Sequence, residues 1–582
     1  MGGYADSIVL AVAAPIAIYI LISGLDELII DVCWLALWWT RKPPKPVPVG
    51  EPERRIAIIV PAWKEDAVIQ QMIEHNAATL HYERYDFFVG IYPNDPKTLA
   101  AVEAASRRVS NVYWAMVPHD GPTSKGDCLN WIYQNILLHE QTYGIQYDAL
   151  LMHDAEDIIH PEALRYVSHY LGTYGFVQVP VLALQTPIAN VTHGIYCDEF
   201  AETQTRDLPV RQWLNAFVPS AGVGTGISRD ALELLARNYQ NRVFEPDSLT
   251  EDYDMGLRLH ECGCRQMFLP LQRYDAGFVA TREYFPTEPR TAIRQRTRWV
   301  TGIALQTWQR YGWKGNWMRK YWFWRDRKGL VGGPVGILAN LVFLYVLAAG
   351  LWQHDHSLAM QLAPYNLMLL GIRIASRMYC TARVYGLPMA YLVPVRILAG
   401  SWINGMAAVR AVYRFTKAHS RGERLSWLKT EHKYPSRETL VDQRRRLGDL
   451  LVRNQAITRD ELELVAINKP AGLKIGEYLV RLGRITEDEL YEALCFQQQM
   501  PLAEVTEVPL RVARSLPAWV MQECNVVPFR VEAHALAVCS PNPPDAATRQ
   551  RLEQCTKLEV RYYLITPSRF EKLLLAAAGV GA

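Results

Sequence analysis

No CxxC pair occurs in this chain. The ten cysteines are scattered, and the one close pair, Cys262 and Cys264, is too tight for the common zinc spacings. That argues against a zinc module and suits reduced thiols in a cytosolic environment. Net charge is low, +3 over 582 residues, too small to imply a nucleic-acid polymer as partner. No Lys or Arg precedes the first apolar run and no small-residue cleavage site follows it, so a removable signal peptide is not expected. With 50% hydrophobic and 21% charged residues, the chain is neither disordered nor a membrane protein throughout.

Aromatic residues are abundant instead. The 17 Trp and 30 Tyr suit sugar stacking and membrane interfaces equally. Ser7 to Gly24 is nearly all apolar, and Leu28 to Trp39 continues the run after Asp26-Glu27. One long tilted transmembrane helix is the expectation, with a short hairpin as alternative. Arg41, Lys42 and Lys45 follow the run, which places what comes next in the cytoplasm. Asp26, Glu27 and Asp31 are costly in lipid and are expected to face protein or the interface.

A Pro-rich linker, Pro43 to Pro52, leads into short apolar runs that read as buried strands: Ile56 to Val60, Phe87 to Tyr92, Val112 to Val117 and Ala149 to His153. Helical patterns such as Val68 to Leu80 and Pro96 to Val109 separate them. Alternating strand and helix indicates an α/β domain with a mainly parallel sheet. Ligands bind such sheets at the carboxyl ends of the strands. Lys64-Glu65, Asn94-Asp95 and Asp154 to Asp157 fall at that edge. Each alone is an ordinary helix cap or turn. Together they suggest a site: Asp154 and Glu156 offer hard oxygens for Mg²⁺ or Mn²⁺. Lys125-Gly126 at a helix start suits an anion.

Gln295-Arg296-Thr297-Arg298-Trp299 follows on an expected helix, where amide, guanidinium and indole gather near one point. Trp313 to Lys328, dense in Trp, Tyr, Lys and Arg, reads as an interfacial helix, or as a basic aromatic face packed on the preceding domain. Gly329 to Trp352 reads as a transmembrane helix. Pro364 to Gly386 is interrupted by Arg373, Arg377 and Arg383 and is not expected to be a simple span. Leu387 to Tyr413 is the expected second crossing, and the basic stretch Arg410 to Lys433 is expected in the cytoplasm. The last third contains a repeat. One copy runs through Arg446-Leu447-Gly448, Leu451-Val452, Ile457 and Leu462. The other runs through Lys474-Ile475-Gly476, Leu479-Val480, Gly483, Ile485, Leu490 and Gln497. Each reads as two short helices, the second capped by Thr458 or Thr486.

Pro61 to Glu65, Asn94-Asp95, Lys125 to Asn130, Asp154-Ala155-Glu156, Thr250-Glu251-Asp252 and Gln295 to Trp299 stand in that order. The set resembles the family 2 inverting glycosyltransferases of the membrane synthase type with a QxxRW motif. The resemblance implies a GT-A-like nucleotide-sugar domain. It implies contacts of Glu65 and Asp95 with uridine, and of Lys125, Asn130 and Asp154 with the nucleotide-sugar. Asp154 and Glu156 would hold a metal, with Glu156 or Asp157 left open as the second ligand. Asp252 would be the catalytic base, and Gln295, Arg298 and Trp299 would hold diphosphate and acceptor. Gly224-Thr225-Gly226 would form the acceptor-side loop. The C-terminal repeat and Pro509 to Ala577 resemble MshEN domains, which implies cyclic di-GMP bound by Arg446, Leu447, Gly448, Leu451, Val452, Lys474, Ile475, Gly476, Leu479, Val480, Gly483 and Gln497.

The combination resembles the NfrB-type inner-membrane proteins, which are phage-adsorption components. This implies exopolysaccharide synthesis at the bacterial inner membrane. Catalytic and MshEN domains would be cytoplasmic, a growing glycan or lipid would be the acceptor, and an outer-membrane export partner is implied by the family alone. The expected organisation is an N-terminal transmembrane segment (1–42), a linker (43–54) and the transferase domain (55–312). An interfacial helix (313–328), a transmembrane region (329–413), a basic linker (414–441) and an MshEN-type domain (442–582) follow. Three readings remain open at this stage: a processive synthase, single-sugar transfer to a lipid carrier, and an inactive dinucleotide-sensing scaffold.

Overall fold

The structure is a computed structural model that describes residues 2–40, 47, 51–274, 277–350, 357–423, 434, 447–453, 456–470, 472–498, 500–532, 535–556 and 559–578. The chain divides near Pro435 into two compact units.

In the first unit, helix α1 (Gly2–Thr40) is followed by β1 (Ile56–Pro61), α2 (Ile69–Thr79), β2 (Tyr85–Ile91) and α3 (Pro96–Ser106). Next come β3 (Val112–Met116), α4 (Lys125–Tyr143), β4 (Ala149–Met152) and α5 (Ala163–Leu171). All four expected strands and both expected helices are present, with ends shifted by a few residues. Ile56 to Val60 is wholly buried, because helices cover both faces of the sheet. Each fully buried Ile contributes about 1.5–3 kcal/mol. Asp95 caps α3, with Pro96 at its first turn, and the Ser124 hydroxyl caps α4 by accepting from the Asp127 amide.

The unit continues with β5 (Phe176–Gln178), β6 (Val181–Ala183), α6 (Val191–Glu202), α7 (Leu208–Trp213), β7 (Thr225–Ser228), α8 (Arg229–Asn238) and α9 (Glu251–Glu261). Then come β8 (Gln266–Phe268), β9 (Arg273–Tyr274), β10 (Gly277–Phe278), β11 (Thr281–Glu283), α10 (Pro289–Val300) and α11 (Thr307–Tyr311). The main sheet runs β3-β2-β1-β4-β7-β5-β8. It is mixed: β7 is antiparallel to both β4 and β5, and the other pairings are parallel. This is the GT-A-like arrangement. Two π-helical segments, Thr203–Asp207 and Thr301–Gln306, join α6 to α7 and α10 to α11.

Beyond it lie α12 (Trp317–Arg327), α13 (Gly329–Ala348), α14 (Leu358–Tyr385), α15 (Leu387–Ala390) and α16 (Val393–Arg421). Among the described residues, two helices are long and apolar enough to cross a membrane, α13 and α14. The expectation paired Gly329 to Trp352 with Leu387 to Tyr413 instead. The arginine-bearing segment is one continuous 28-residue helix. The stretch from Leu387 is split into α15 and α16, and α16 buries Arg396. Acids meet one arginine of each helix: Arg377 of α14 pairs with Glu202, and Arg396 of α16 with Asp198 at 2.6 Å. The N-terminal run is one 39-residue helix rather than a hairpin.

Its acids face protein. Asp26 accepts from Tyr321, Arg325 and Lys328; Glu27 pairs with Arg206 at 2.7 Å and Lys328 at 2.5 Å; Asp31 pairs with Arg206 at 2.8 Å. Helix α12 therefore spends much of its basic, aromatic face inside the protein. Phe323 packs with Phe217, Tyr253 and Leu257, and Trp322 with Ile30 and Val210. Trp317, 73% exposed, is left at the surface. Of the linkers, 43–46, 48–50 and most of 424–441 lie outside the described residues, and 414–421 belongs to α16.

The second unit holds two helix pairs, α17 (Leu447–Arg453) with α18 (Arg459–Asn468), and α19 (Ile475–Arg481) with α20 (Glu487–Gln498). Thr458 with Glu461 and Thr486 with Glu489 form matching capping boxes. The repeat glycines match too. A Cβ on Gly448 would stand 2.7 Å from a Leu462 methyl, and one on Gly476 2.5 Å from a Leu490 methyl. Each glycine thus lets its helix touch the leucine of the paired helix. Helices α21 (Leu510–Ala513) and α22 (Ala518–Cys524) precede a three-stranded sheet, β12 (Val527–Glu532), β13 (Ala535–Ser540) and β14 (Glu559–Leu564), with α23 (Ala546–Thr556) and α24 (Pro567–Ala578).

Arg206 is the cation on which several buried acids depend. Replacing one partner of a buried pair leaves the other charge uncompensated, at a cost of about 3–5 kcal/mol. Arg206→Leu is expected to lower the unfolding midpoint in detergent, and Arg206→Lys to restore part of it. An unchanged midpoint in Arg206→Leu would refute this weighting.

Candidate active site

Strands β1 and β4 end side by side, and the turns after them open one cleft. Glu65, Lys125, Asp154, Glu156, Asp252, Gln295, Arg298 and Trp299 all line it. Their sequence positions span more than two hundred residues, and the folding of β1, α4, β4, α9 and α10 brings them together. Lys125, in the first turn of α4, reaches across to Asp154 at 2.6 Å and lies 4.0 Å from Glu251.

The turn after β4 divides its carboxylates. Asp157 points inward, where its Oδ2 accepts from the Asp154 backbone N–H at 3.0 Å and meets His153 Nδ1 at 2.7 Å. Burial holds His153 near a pKa of about 3 and pushes Asp157 up, so the ring is neutral at physiological pH. Asn76 braces the same turn, donating to the Asp157 carbonyl at 2.9 Å. With Asp157 engaged behind the turn, Glu156 is the residue that lines the cleft beside Asp154.

Asp95, Asn130 and Gly224 to Gly226 are not among the cleft-lining residues. Asp95 accepts from the Lys64 amide at 2.5 Å and caps α3, so it shapes the β1 turn from behind. Asn130 exchanges two hydrogen bonds with the Phe244 backbone. Thr225 and Gly226 belong to β7, where the Thr225 hydroxyl donates to Gln178. The neighbouring residues Ala221 and Val223 line the cleft instead. Gly222 between them has φ +76°, and a Cβ there would stand 2.7 Å from Asp252 Oδ2. Only glycine lets the backbone pass so close to that carboxylate.

Two lining carboxylates escaped assignment from sequence, Glu251 and Glu283. Glu251 was visible within Thr250-Glu251-Asp252; Glu283 had no signal, being the end of a three-residue strand. The cleft holds six carboxylates (Glu65, Asp154, Glu156, Glu251, Asp252, Glu283) against two cations, Lys125 and Arg298. The surplus is felt locally. Burial, then the neighbouring Asp252, pushes Glu251 to about 7, and burial also raises Asp252 against the pull of Lys125 and Arg298. Burial disfavours the Lys125 charge, but Asp154, Glu251 and Asp252 outweigh it and hold the ammonium protonated. Arg298 Nε has no hydrogen-bond partner among the described residues.

Such a cleft suits a divalent cation carrying an anion. No three His, Cys, Asp or Glu side chains converge as a ready-made cage among the described residues. Mg²⁺ ordinarily takes one or two carboxylates and completes its shell with water and phosphate oxygens, and Asp154 with Glu156 fits that pattern.

In the second unit, Leu447, Lys474, Gly476, Val480 and Gln497 line one cavity of ≈ 660 Å³, with the loop Pro541 to Pro543. Leu451 and Leu479 are core residues instead, with Val452 and Ile475 packed against that core. Gly448 packs on Leu462, and Gly483 forms a turn at φ +63°. Arg446 lies outside the described residues.

The mixed sheet is GT-A-like, and a family model described as glycosyltransferase like family 2 matches residues 52–302. A second family model, the MshEN domain, matches residues 499–579, which leaves the helix-pair repeat ahead of it. The chain is 33% identical over 598 residues to bacteriophage adsorption protein B of Escherichia coli (strain K12), covering 95% of this chain and 80% of that protein. It belongs to the family of that adsorption protein, with a family 2 glycosyltransferase domain and a C-terminal MshEN domain. The type IV pilus assembly ATPase PilB of Thermus thermophilus is 30% identical over 131 residues, covering 22% of this chain and 15% of the ATPase. Among solved structures, the mannosyltransferase PcManGT from Pyrobaculum calidifontis is 17% identical with a TM-score of 0.42, covering 69% of this chain and 99% of that one.

The raised carboxyl pair gives a pH dependence with a definite sign. A raised pKa keeps a carboxyl protonated to higher pH, so a rate that needs ionised Asp252 falls as pH drops, with an acid limb above the ordinary carboxylate range. Lys125→Gln removes the cation that pulls Asp252 down and is expected to move that acid limb to higher pH. A limb that stays in place, or moves down, would contradict the coupling.

Proposed function

We propose that this chain is an inverting glycosyltransferase of the bacterial inner membrane that uses a UDP-sugar to build an exopolysaccharide, under control of cyclic di-GMP bound to its C-terminal unit. The observation that carries it is the meeting of Lys125, Asp154, Glu156, Asp252, Gln295, Arg298 and Trp299 in one cleft. Membership of the adsorption-protein family is consistent with it.

In this reading an acceptor hydroxyl attacks the anomeric carbon from the face opposite the diphosphate. The new glycosidic C–O bond forms as the bond to UDP breaks, and Asp252 takes the hydroxyl proton. One displacement inverts the anomeric centre. Negative charge that builds on the leaving UDP is offset by Lys125 and Arg298. Mg²⁺ or Mn²⁺, held by Asp154 and Glu156, supplies further Lewis-acid neutralisation when bound. The Trp299 indole gives the acceptor sugar a flat face, and Glu65 lies where the nucleoside enters. Ala221 and Val223, rather than Gly224 to Gly226, border the acceptor end. Helices α13 and α14 would anchor the transferase, and a wider path for a long glycan would need another copy or partner. Single-sugar transfer to a lipid carrier fits the small number of apolar helices, and product length separates the two.

UDP release from a panel of UDP-sugars, in membranes, is the test. At least one sugar is expected to support release, and Asp252→Asn to reduce it about 10²–10⁴-fold, the usual contribution of a general base. No release with any sugar, or equal release by the variant, sinks the transferase reading.

For the second unit, the cavity lined by Lys474 and Gln497 is the proposed dinucleotide site. Cyclic di-GMP titrated into the full chain is expected to bind at least about tenfold more weakly after Gln497→Ala, a loss of about 1.4 kcal/mol. Affinity that does not change means the site lies elsewhere.

A further inference from the structure

Helix α6 packs on α14 and α16 and also bonds the cleft-lining helix α10, and different side chains serve the two tasks. For α14 and α16, Asp198 accepts from Arg396 at 2.6 and 2.8 Å and from Thr381 at 3.1 Å, and Glu202 accepts from Arg377. For the Gln295 to Trp299 stretch, Glu199 pairs with Arg296 at 2.6 Å, and Asn404 of α16 bonds both of them. Tyr196 Oη donates to Gln295 Oε1 at 2.9 Å.

That last bond selects one of two orientations. A glutamine amide carries a carbonyl on one side and an NH₂ on the other, and its terminal torsion is broad and nearly two-fold. A donor fixed on Oε1 leaves the two N–H donors for other partners, and Gln295 lines the cleft. The flipped amide would instead turn a carbonyl oxygen toward a cleft already rich in carboxylates, where it repels a diphosphate. Tyr196 is well placed to hold the choice. Its side chain is fully buried, its ring stacks on Phe285 at 4.9 Å and meets Trp299 edge-on at 6.1 Å, and Arg296 sits 4.2 Å over its face. Its phenol oxygen takes a hydrogen bond from Arg296, which leaves the O–H to donate to Gln295 rather than accept from it, and burial, pushing the phenol up to about 12, keeps that proton in place at physiological pH.

We propose that Tyr196 is a positioning residue that fixes the amide orientation of Gln295, so that N–H donors rather than a carbonyl oxygen face the diphosphate. The assignment rests on the transferase reading of the same cleft. It makes Gln295→Glu, which presents oxygen on both sides, a mimic of the flipped amide.

The test is a mutant cycle on the full chain in membranes, using the UDP-sugar that supports wild-type release. Tyr196→Phe is expected to lower the rate at saturating donor at least about tenfold, equivalent to 1.4 kcal/mol of barrier. The unfolding midpoint is expected to stay unchanged. Gln295→Glu is expected to fall in the same range, and the double variant to be no slower than Gln295→Glu alone. Tyr196→Phe within twofold of an active wild type overturns the proposal. So does a double variant whose losses multiply, or a loss that tracks a lowered midpoint, since each assigns the phenol a structural role. A wild type that releases no UDP from any sugar defeats the parent reading, and this one with it.

Discussion

The cleft carries more negative charge than its own cations can neutralise, and much of the surrounding fold holds that imbalance in place. Six carboxylates face Lys125 and Arg298 across a largely buried site. Burial, and then the like charge of Asp252, pushes Glu251 to about 7. Such an arrangement is costly when empty and favourable when a cation and a phosphate group fill it. The supports follow from that cost. Asp157 and Asn76 brace the β4 turn from behind, Asp95 braces the β1 turn, and Gly222 lets the backbone run close against Asp252.

A second set of charges fastens this cleft to the long helices. Arg377 and Arg396 would be expensive in hydrocarbon, and the structure gives each an acid on α6. Asp26, Glu27 and Asp31 on α1 are treated the same way by Arg206, Arg325 and Lys328. Removing either partner strands the other, so these pairs tie the apolar helices to the transferase domain more firmly than surface ion pairs would. Helix α6 is the common member. It carries the acids for α14 and α16 and also the tyrosine that bonds Gln295.

Much of this was legible in the sequence, for a physical reason. A buried parallel strand reads as a continuous apolar run, so the residues after it mark the sheet edge, and Glu65, Asp154 and Glu156 stand there. Gln295, Arg298 and Trp299 share one helical turn and announce themselves. Asp95 and Asn130 carried the same composition signal but serve as a cap and a loop clamp, because Asp and Asn suit both tasks. Gly224 to Gly226 looked like a loop and proved to enter a strand, the one that reverses direction in the sheet. Arg377 of α14 and Arg396 of α16 read as interruptions because their acids lie about 175 to 200 residues away in sequence. Tyr196 gave no local sign either, since its meaning is a bond to a residue 99 positions on. In the second unit the repeat was plain, and the paired capping boxes and glycine contacts confirm it as structure.

The charge balance of the cleft predicts that it takes UDP only together with a divalent cation. Calorimetric titration of UDP into the full chain, with Mn²⁺ and with chelator, measures this directly. UDP is expected to bind at least about thirtyfold more tightly with the metal, a difference of about 2 kcal/mol, and Asp154→Asn is expected to abolish that difference. Equal UDP affinity with and without the metal would show that Lys125 and Arg298 suffice alone, and would contradict the central claim.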